Sequence, residues 1–270
     1  MRDMSKLEGF VDDSRAVLVM EGAQAREVLQ GVVTNDVDLV APGRAVYAAL
    51  LTPQGKYLFD FFLLDGGTDR VLIDVAAERA PALAQRLGMY CLRRNAKITG
   101  AAPLQVGLAW GEGTSPDWIR DPRSDALGWR VYAEDTRHAL DEAGVEPATR
   151  EAYDSLRVAA LVPETGHELL SDETYILEAG FEHLSGVDFR KGCYVGQEVT
   201  ARMKHKTELR KGLVRVSVAG TAEPGTAITS NGKPAGTLFT VADGQGLAHL
   251  RLDRAGPDMQ AGSARVSYEP

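Results

Sequence analysis

Lys191-Gly192-Cys193-Tyr194-Val195-Gly196-Gln197-Glu198 sets one thiol between two glycines, with an aromatic, an amide and a carboxylate in the next five residues. A thiol is a nucleophile, a redox group or a soft metal ligand. Glycines at this density call for sharp turns or close backbone approach. A plain loop with a small buried cysteine would read the same way. Basic residues flank the stretch: Arg190 and Lys191 within or before it, then Arg202, Lys204, Lys206, Arg210 and Lys211.

Two further groups could do chemistry. In Tyr57-Leu58-Phe59-Asp60-Phe61-Phe62-Leu63-Leu64, Asp60 interrupts a nearly continuous apolar run. A carboxylate there needs a partner or a cavity, which makes Asp60 a candidate site residue. Alternatively it lies on the solvent face of a half-buried strand. Thr34-Asn35-Asp36 is either an ordinary turn or a set of short donors and acceptors at a helix exit.

The elements that must position these groups follow from spacing. Residues 15–20 read as a strand, and Ala25, Val28, Leu29 and Val32 mark a helix over 23–31. Residues 45–51 and 57–64 form a hairpin around Thr52-Pro53-Gln54-Gly55-Lys56. A strand at 70–75 precedes a helix from Ala80 that Gly88 ends, with Cys91 in the core. Strands follow near 97–99, 104–110 and 128–132, with a loop over 114–125. A short helix covers 136–143, and Pro147 opens a longer one. After residue 205 the texture changes to five short strands over about 60 residues, with Asn231-Gly232 as a two-residue hairpin turn. That is a small β-barrel or sandwich behind an α+β body.

Composition narrows the class. The 270 residues are 44% hydrophobic and 25% charged, which fits about two or three soluble globular domains. No apolar run is long enough to span a membrane. Two cysteines 102 positions apart fit a reducing compartment, and residues 1–8 lack the apolar core of a secretory signal, so a cytoplasmic protein is expected. The net charge of −8 argues against nucleic acid as a direct partner. Residues 201–270, however, hold ten Lys/Arg against six Asp/Glu, a net of +4 on a body of −12, a polarity suited to a small anion or an acidic partner.

The octapeptide, with GFEHLSGVDFRKG before it, resembles the signature of the YgfZ family of folate-binding-type proteins, similar to the T-protein (aminomethyltransferase) of the glycine cleavage system. LQGVVTNDV, AVYAALLTPQGKYLFDFFLL, RVAALVPETGHEL and LEAGFEHLSGVDFRKGCYVGQE match in the order that fold requires. The resemblance implies an α+β, three-domain, aminomethyltransferase-like fold with a C-terminal β-barrel. Its domains would be 1–20 plus 105–204, an inserted 21–104, and 205–270. It implies tetrahydrofolate in a central channel, with Asp60 aiding chemistry, Glu178 gripping the pterin and Tyr47 in the folate pocket. Asn35 and Asp74 would also contact the folate, and Arg202 and Lys204 would suit its anionic tail. Asp74 stands where the T-protein pattern usually has asparagine, which turns the resemblance away from aminomethyl transfer. The YgfZ branch is associated with iron–sulfur proteins, including tRNA-modifying radical enzymes. The expectation is therefore a folate-binding accessory protein for iron–sulfur cluster assembly or repair. Cys193 would be the working thiol or a transient cluster ligand, just before a short helix at about 195–203, and iron–sulfur assembly or client proteins would be the partners. The alternative is a tetrahydrofolate-dependent aminomethyltransferase or demethylase using Asp60 and Glu178.

Overall fold

The computed structural model describes residues 6–206 and 209–269, with Lys206 as backbone only. Part of the polar start read over residues 1–8 (residues 1–5) and the Lys206 side chain lie outside the described residues. The first elements are β1 (Glu8–Val11), β2 (Arg15–Glu21), α1 (Ala25–Gln30), β3 (Val46–Leu51), β4 (Tyr57–Asp65), β5 (Arg70–Ala76), α2 (Ala80–Tyr90) and β6 (Lys97–Ala101). Then come β7 (Gln105–Trp110), β8 (Ile119–Arg120), β9 (Trp129–Ala133), α3 (Thr136–Glu142), β10 (Glu146–Pro147), α4 (Arg150–Ala159) and α5 (Gln197–Lys206). The last six are β11 (Lys211–Ala219), β12 (Thr226–Ser230), β13 (Lys233–Ala242), β14 (Gln245–Arg251), β15 (Met259–Ala261) and β16 (Ala264–Ser267).

The strands make two five-stranded sheets, β3-β4-β5-β2-β6 and β10-β1-β7-β9-β8, and a closed barrel, β11-β14-β13-β12-β15-β16. The first sheet is antiparallel throughout and buried on both faces of β3 and β4. That explains why the Tyr57–Leu64 run is continuous rather than alternating. Phe59, Phe61 and Leu63 pack with α1 and α2, while Tyr57, Phe62 and Leu64 face a second core shared with Trp110, Tyr153 and Phe181. Asp60 belongs by alternation to that second face, between the two sheets. β2 begins inside the expected 1–20 segment yet pairs with β5 and β6, whereas β1 pairs with β7.

Several expectations are corrected locally. α2 runs through Gly88 to Tyr90, because open space surrounds Gly88 and nothing there forces a turn. Pro147 lies in β10, an edge strand where its missing N–H costs no ladder bond, and α4 starts at Arg150 after the Thr149 cap. The loop over 114–125 contains the two-residue strand β8. The barrel has six strands rather than five. β15, three residues long, is too short to show alternation, yet it joins β12 to β16 and removes the open edge. Asn231 and Gly232 both have positive φ, as the two-residue turn requires.

Candidate functional site

Cys193 is exposed, on a loop that ends at α5. The helix starts at Gln197, two residues later than expected. Gln197 Nε2 donates to the Gly192 carbonyl at 2.9 Å and closes the loop across its base. Gly196 has φ +85°, and a Cβ there would lie 2.6 Å from the Thr52 carbonyl oxygen. At Gly55, in the β3–β4 turn, a Cβ would likewise lie 2.9 Å from Val199 Cβ of α5. The two glycines thus let the hairpin tip and the thiol motif meet at backbone distance. Tyr194 buries its ring in the core beside the Tyr47 cluster. Its hydroxyl is enclosed without a normally placed hydrogen-bond partner among the described residues, and burial pushes its pKa up to about 12. Lys191 turns its ammonium to the exit of α1, donating to the carbonyls of Gln30 at 2.7 Å and Val33 at 2.6 Å. Burial draws its pKa down to about 8, against the pull of Asp36, Asp188 and Asp38.

The Thr34-Asn35-Asp36 cluster is a fastening. Thr34 Oγ1 donates to the Gly186 carbonyl at 2.7 Å and accepts from the Ala49 N–H at 2.8 Å. Asn35 Nδ2 donates to the carbonyls of Tyr47 at 2.7 Å and Ser185 at 2.6 Å, while its Oδ1 accepts from the Asp36 N–H. The segment leading to Cys193 is therefore tied to β3 through this loop, and the amide of Asn35 is occupied by protein.

Asp60 is buried, so the solvent-face alternative falls. Its Oδ2 accepts from the Tyr47 hydroxyl at 3.0 Å, and its Oδ1 accepts from Tyr57 at 2.8 Å and from Thr165. Burial first, then the charge of Asp60, holds both phenols well above their ordinary pKa, so they remain donors. Asp74 is buried completely. Arg15 Nε donates to its Oδ1 at 2.7 Å, and Arg130 Nη2 and the Tyr132 hydroxyl donate to Oδ2 at 2.6 and 2.7 Å. Arg130 also pairs with Asp121, which holds Arg123 at 2.8 Å. The guanidiniums of Arg130, Arg123 and Arg15 lie 3.9, 4.8 and 5.6 Å from the ring centroid of Phe62. This network surrounds Asp74, the expected channel residue, and satisfies both its oxygens. No spacing rule pointed to it, although Arg130 and Tyr132 alternate onto one face of β9.

The remaining expected residues are dispersed. Glu178 faces the barrel and pairs with His249 at 3.3 Å. Arg202 is exposed and pairs with Glu198 one helical turn away. Lys204 pairs with Glu182 and lies 5.8 Å from the ring centroid of Phe189. Tyr47 and Asn35 do come together, on the wall of a cavity of about 670 Å³. Arg44, Arg120 and Arg190 also line it, with Glu182 and Asp188 as the opposing charges and Val187 and Phe189 as apolar wall. An elongated aromatic anion such as a folate fits that volume and those cations. The carboxylates expected to grip and activate it are not on the wall, so the fit is by size and charge.

A family profile described as the CAF17 C-terminal beta-barrel domain matches residues 210–270. The crystal structure of glycine cleavage system aminomethyltransferase T from Bartonella henselae superposes with a TM-score of 0.77, over 97% of this chain and 85% of its own, at 17% identity. That likeness shows the aminomethyltransferase-like fold. The mitochondrial iron–sulfur cluster assembly factor IBA57 of Mus musculus is 31% identical over 276 residues, covering 89% of this chain and 76% of the mouse protein. The chain belongs to the IBA57 family. IBA57 from Homo sapiens is 29% identical over 88% of this chain and 76% of its own, and the homologue from Phaeosphaeria nodorum 29% identical over 88% and 69%. The family is thus named by IBA57 rather than by the YgfZ branch that the octapeptide resembles. The IBA57 relatives also overturn the cytoplasmic expectation, because all three are named as mitochondrial. Cysteine usage reports redox conditions and carries no address.

Proposed function

We propose that this protein is an assembly factor for iron–sulfur clusters, with Cys193 as its working thiol. The observation that carries the reading is the exposed Cys193 on a loop held at both ends, in a chain of the IBA57 family. The thiol, once deprotonated, can supply one iron ligand. Among the described residues no three His, Cys, Asp or Glu side chains gather as a metal site. A cluster on Cys193 would take its other ligands from a carrier or client protein, and the YgfZ resemblance adds tRNA-modifying iron–sulfur enzymes to the clients. A folate is the proposed small-molecule partner, in the cavity lined by Tyr47, Arg44, Arg120 and Arg190. The aminomethyltransferase alternative would need Asp60 and Glu178 to face one ligand; Asp60 is held by three hydroxyls and Glu178 by His249.

The test is replacement of the gene, in cells lacking their own copy, by Cys193→Ser. The expected result is lost activity of iron–sulfur enzymes with an unchanged melting curve of the purified variant. Full support by the serine variant would remove the thiol role.

A further inference from the structure

Lys191 lies two positions before the thiol, and its side chain points away from it into the protein. Its Nζ donates to the carbonyls of Gln30 and Val33 at the exit of α1, 2.7 and 2.6 Å away, and sits 5.3 Å from the ring centroid of Tyr194. The last carbonyls of a helix lack N–H partners within it, so a half-buried cation there is well placed. Lysine is seldom buried unless its charge is answered. Here the ammonium is drawn into the structure at the base of an exposed loop.

Several fastenings hold that loop beside the buried Tyr194 ring. Gln197 Nε2 holds the Gly192 carbonyl, Gly196 rests on the Thr52 carbonyl, and Lys191 grips α1. Gly196 secures the side next to α5, and Gln197 ties the Gly192 carbonyl, before the thiol, to the start of that helix. Lys191 adds a side-chain anchor to α1 on the incoming side, immediately after the segment that Thr34 and Asn35 tie to β3 and in which Asp188 accepts from the Arg190 N–H. Gly192, between Lys191 and Cys193, has φ +104° with open space around it. Without Lys191, the backbone before this glycine loses its anchor to α1, and the Gln197 bond to the Gly192 carbonyl is left to hold the approach to the thiol.

We infer that Lys191 is the positioning residue of Cys193: it clamps the loop to α1 so that the sulfur is presented in one orientation to an incoming cluster carrier or client. The inference rests on the reading of Cys193 as the working thiol. It assigns to Lys191 a mechanical role, through two carbonyls.

The experiment uses the full chain as wild type, Lys191→Met, Lys191→Arg and Cys193→Ser. Methionine keeps the stem and removes the donors, while arginine keeps donors that can reach both carbonyls. Hydrogen–deuterium exchange across residues 189–197, thermal melting and support of iron–sulfur enzymes in cells are measured for each. For Lys191→Met, exchange at the hydrogen-bonded amides of Arg190 and Gln197 rises on the order of tenfold, as expected for losing hydrogen bonds from a charged group. Support falls by a similar factor, exchange in the sheets is unchanged, and Lys191→Arg restores most of both. Uniformly faster exchange with a lowered melting temperature would make Lys191 a general structural residue and overturn the inference. So would full support by Lys191→Met despite a loosened loop, or an unloosened loop. If Cys193→Ser supports the enzymes fully, the thiol reading itself fails, whereas the exchange data still report on the clamp.

Discussion

The Tyr47 hydroxyl donates to Asp60 Oδ2 at 3.0 Å inside the core between the two sheets, while Tyr57 and Thr165 donate to the other oxygen. This carboxylate orders three hydroxyls from three parts of the chain, β3, β4 and the segment after α4. Asp60→Ala would strand the buried Tyr47 phenol and leave Tyr57 with Thr165 alone, at a cost on the order of 3 kcal/mol, read as a lowered urea midpoint. Below its melting temperature the variant is expected to support iron–sulfur enzymes about as well as wild type. Lost support with an unshifted midpoint would instead make Asp60 a reacting group.

The Asp74 network predicts a distinct acid response. Burial alone would raise the Asp74 pKa, but Arg130 and then Arg15 outweigh it and hold the group below its ordinary 3.8. A depressed folded-state pKa contributes stability that is complete above the unfolded value and is lost as pH falls through the folded one. Denaturation midpoints between pH 7 and pH 2 should therefore drop below about pH 4, where the unfolded carboxyl takes up its proton first. Asp74→Asn should lower stability at pH 7 by about 3–5 kcal/mol, because Arg15 loses its buried counter-charge and Arg130 keeps Asp121 alone, and should flatten that acid limb. A variant with wild-type acid dependence would show that other carboxyls control it.

Titration with tetrahydrofolate separates the cavity from the residues that the family resemblance nominates. Arg120→Ala, on the cavity wall, should weaken binding on the order of tenfold by loss of a charge-assisted contact. Glu178→Ala should change it little, because that carboxylate faces His249 of the barrel. The reverse pattern would move the ligand to the barrel contact, and no saturable binding by wild type would remove folate from the proposal.

Much of this architecture could be read from the sequence. The hairpin around Gly55, the change of texture after residue 205 and the Asn231-Gly232 turn follow from local periodicity and turn chemistry, and each has its counterpart in β3–β4, the barrel and its β12–β13 connection. The thiol loop also stood out, because glycine spacing is a local signal. The partners of its residues did not. Lys191 reads as part of a basic run, yet it serves α1, some 160 positions earlier. Asp60 and Asp74 look alike in sequence, each a carboxylate in an apolar strand, but one meets hydroxyls and the other guanidiniums from β2 and β9. Such pairings depend on which strands become neighbours, and periodicity within one strand carries no record of that.

The contact between Gly55 and the Gly196–Val199 stretch joins positions more than 140 residues apart. Contacts of such sequence separation form late, since the intervening chain must first lose its freedom. The hairpin tip must therefore be in place before the thiol loop can settle on it, and β4 to β10 with α2 to α4 lie between them along the chain. The settled geometry of the Cys193 loop consequently requires a completed body, because the turn it rests on belongs to the first sheet.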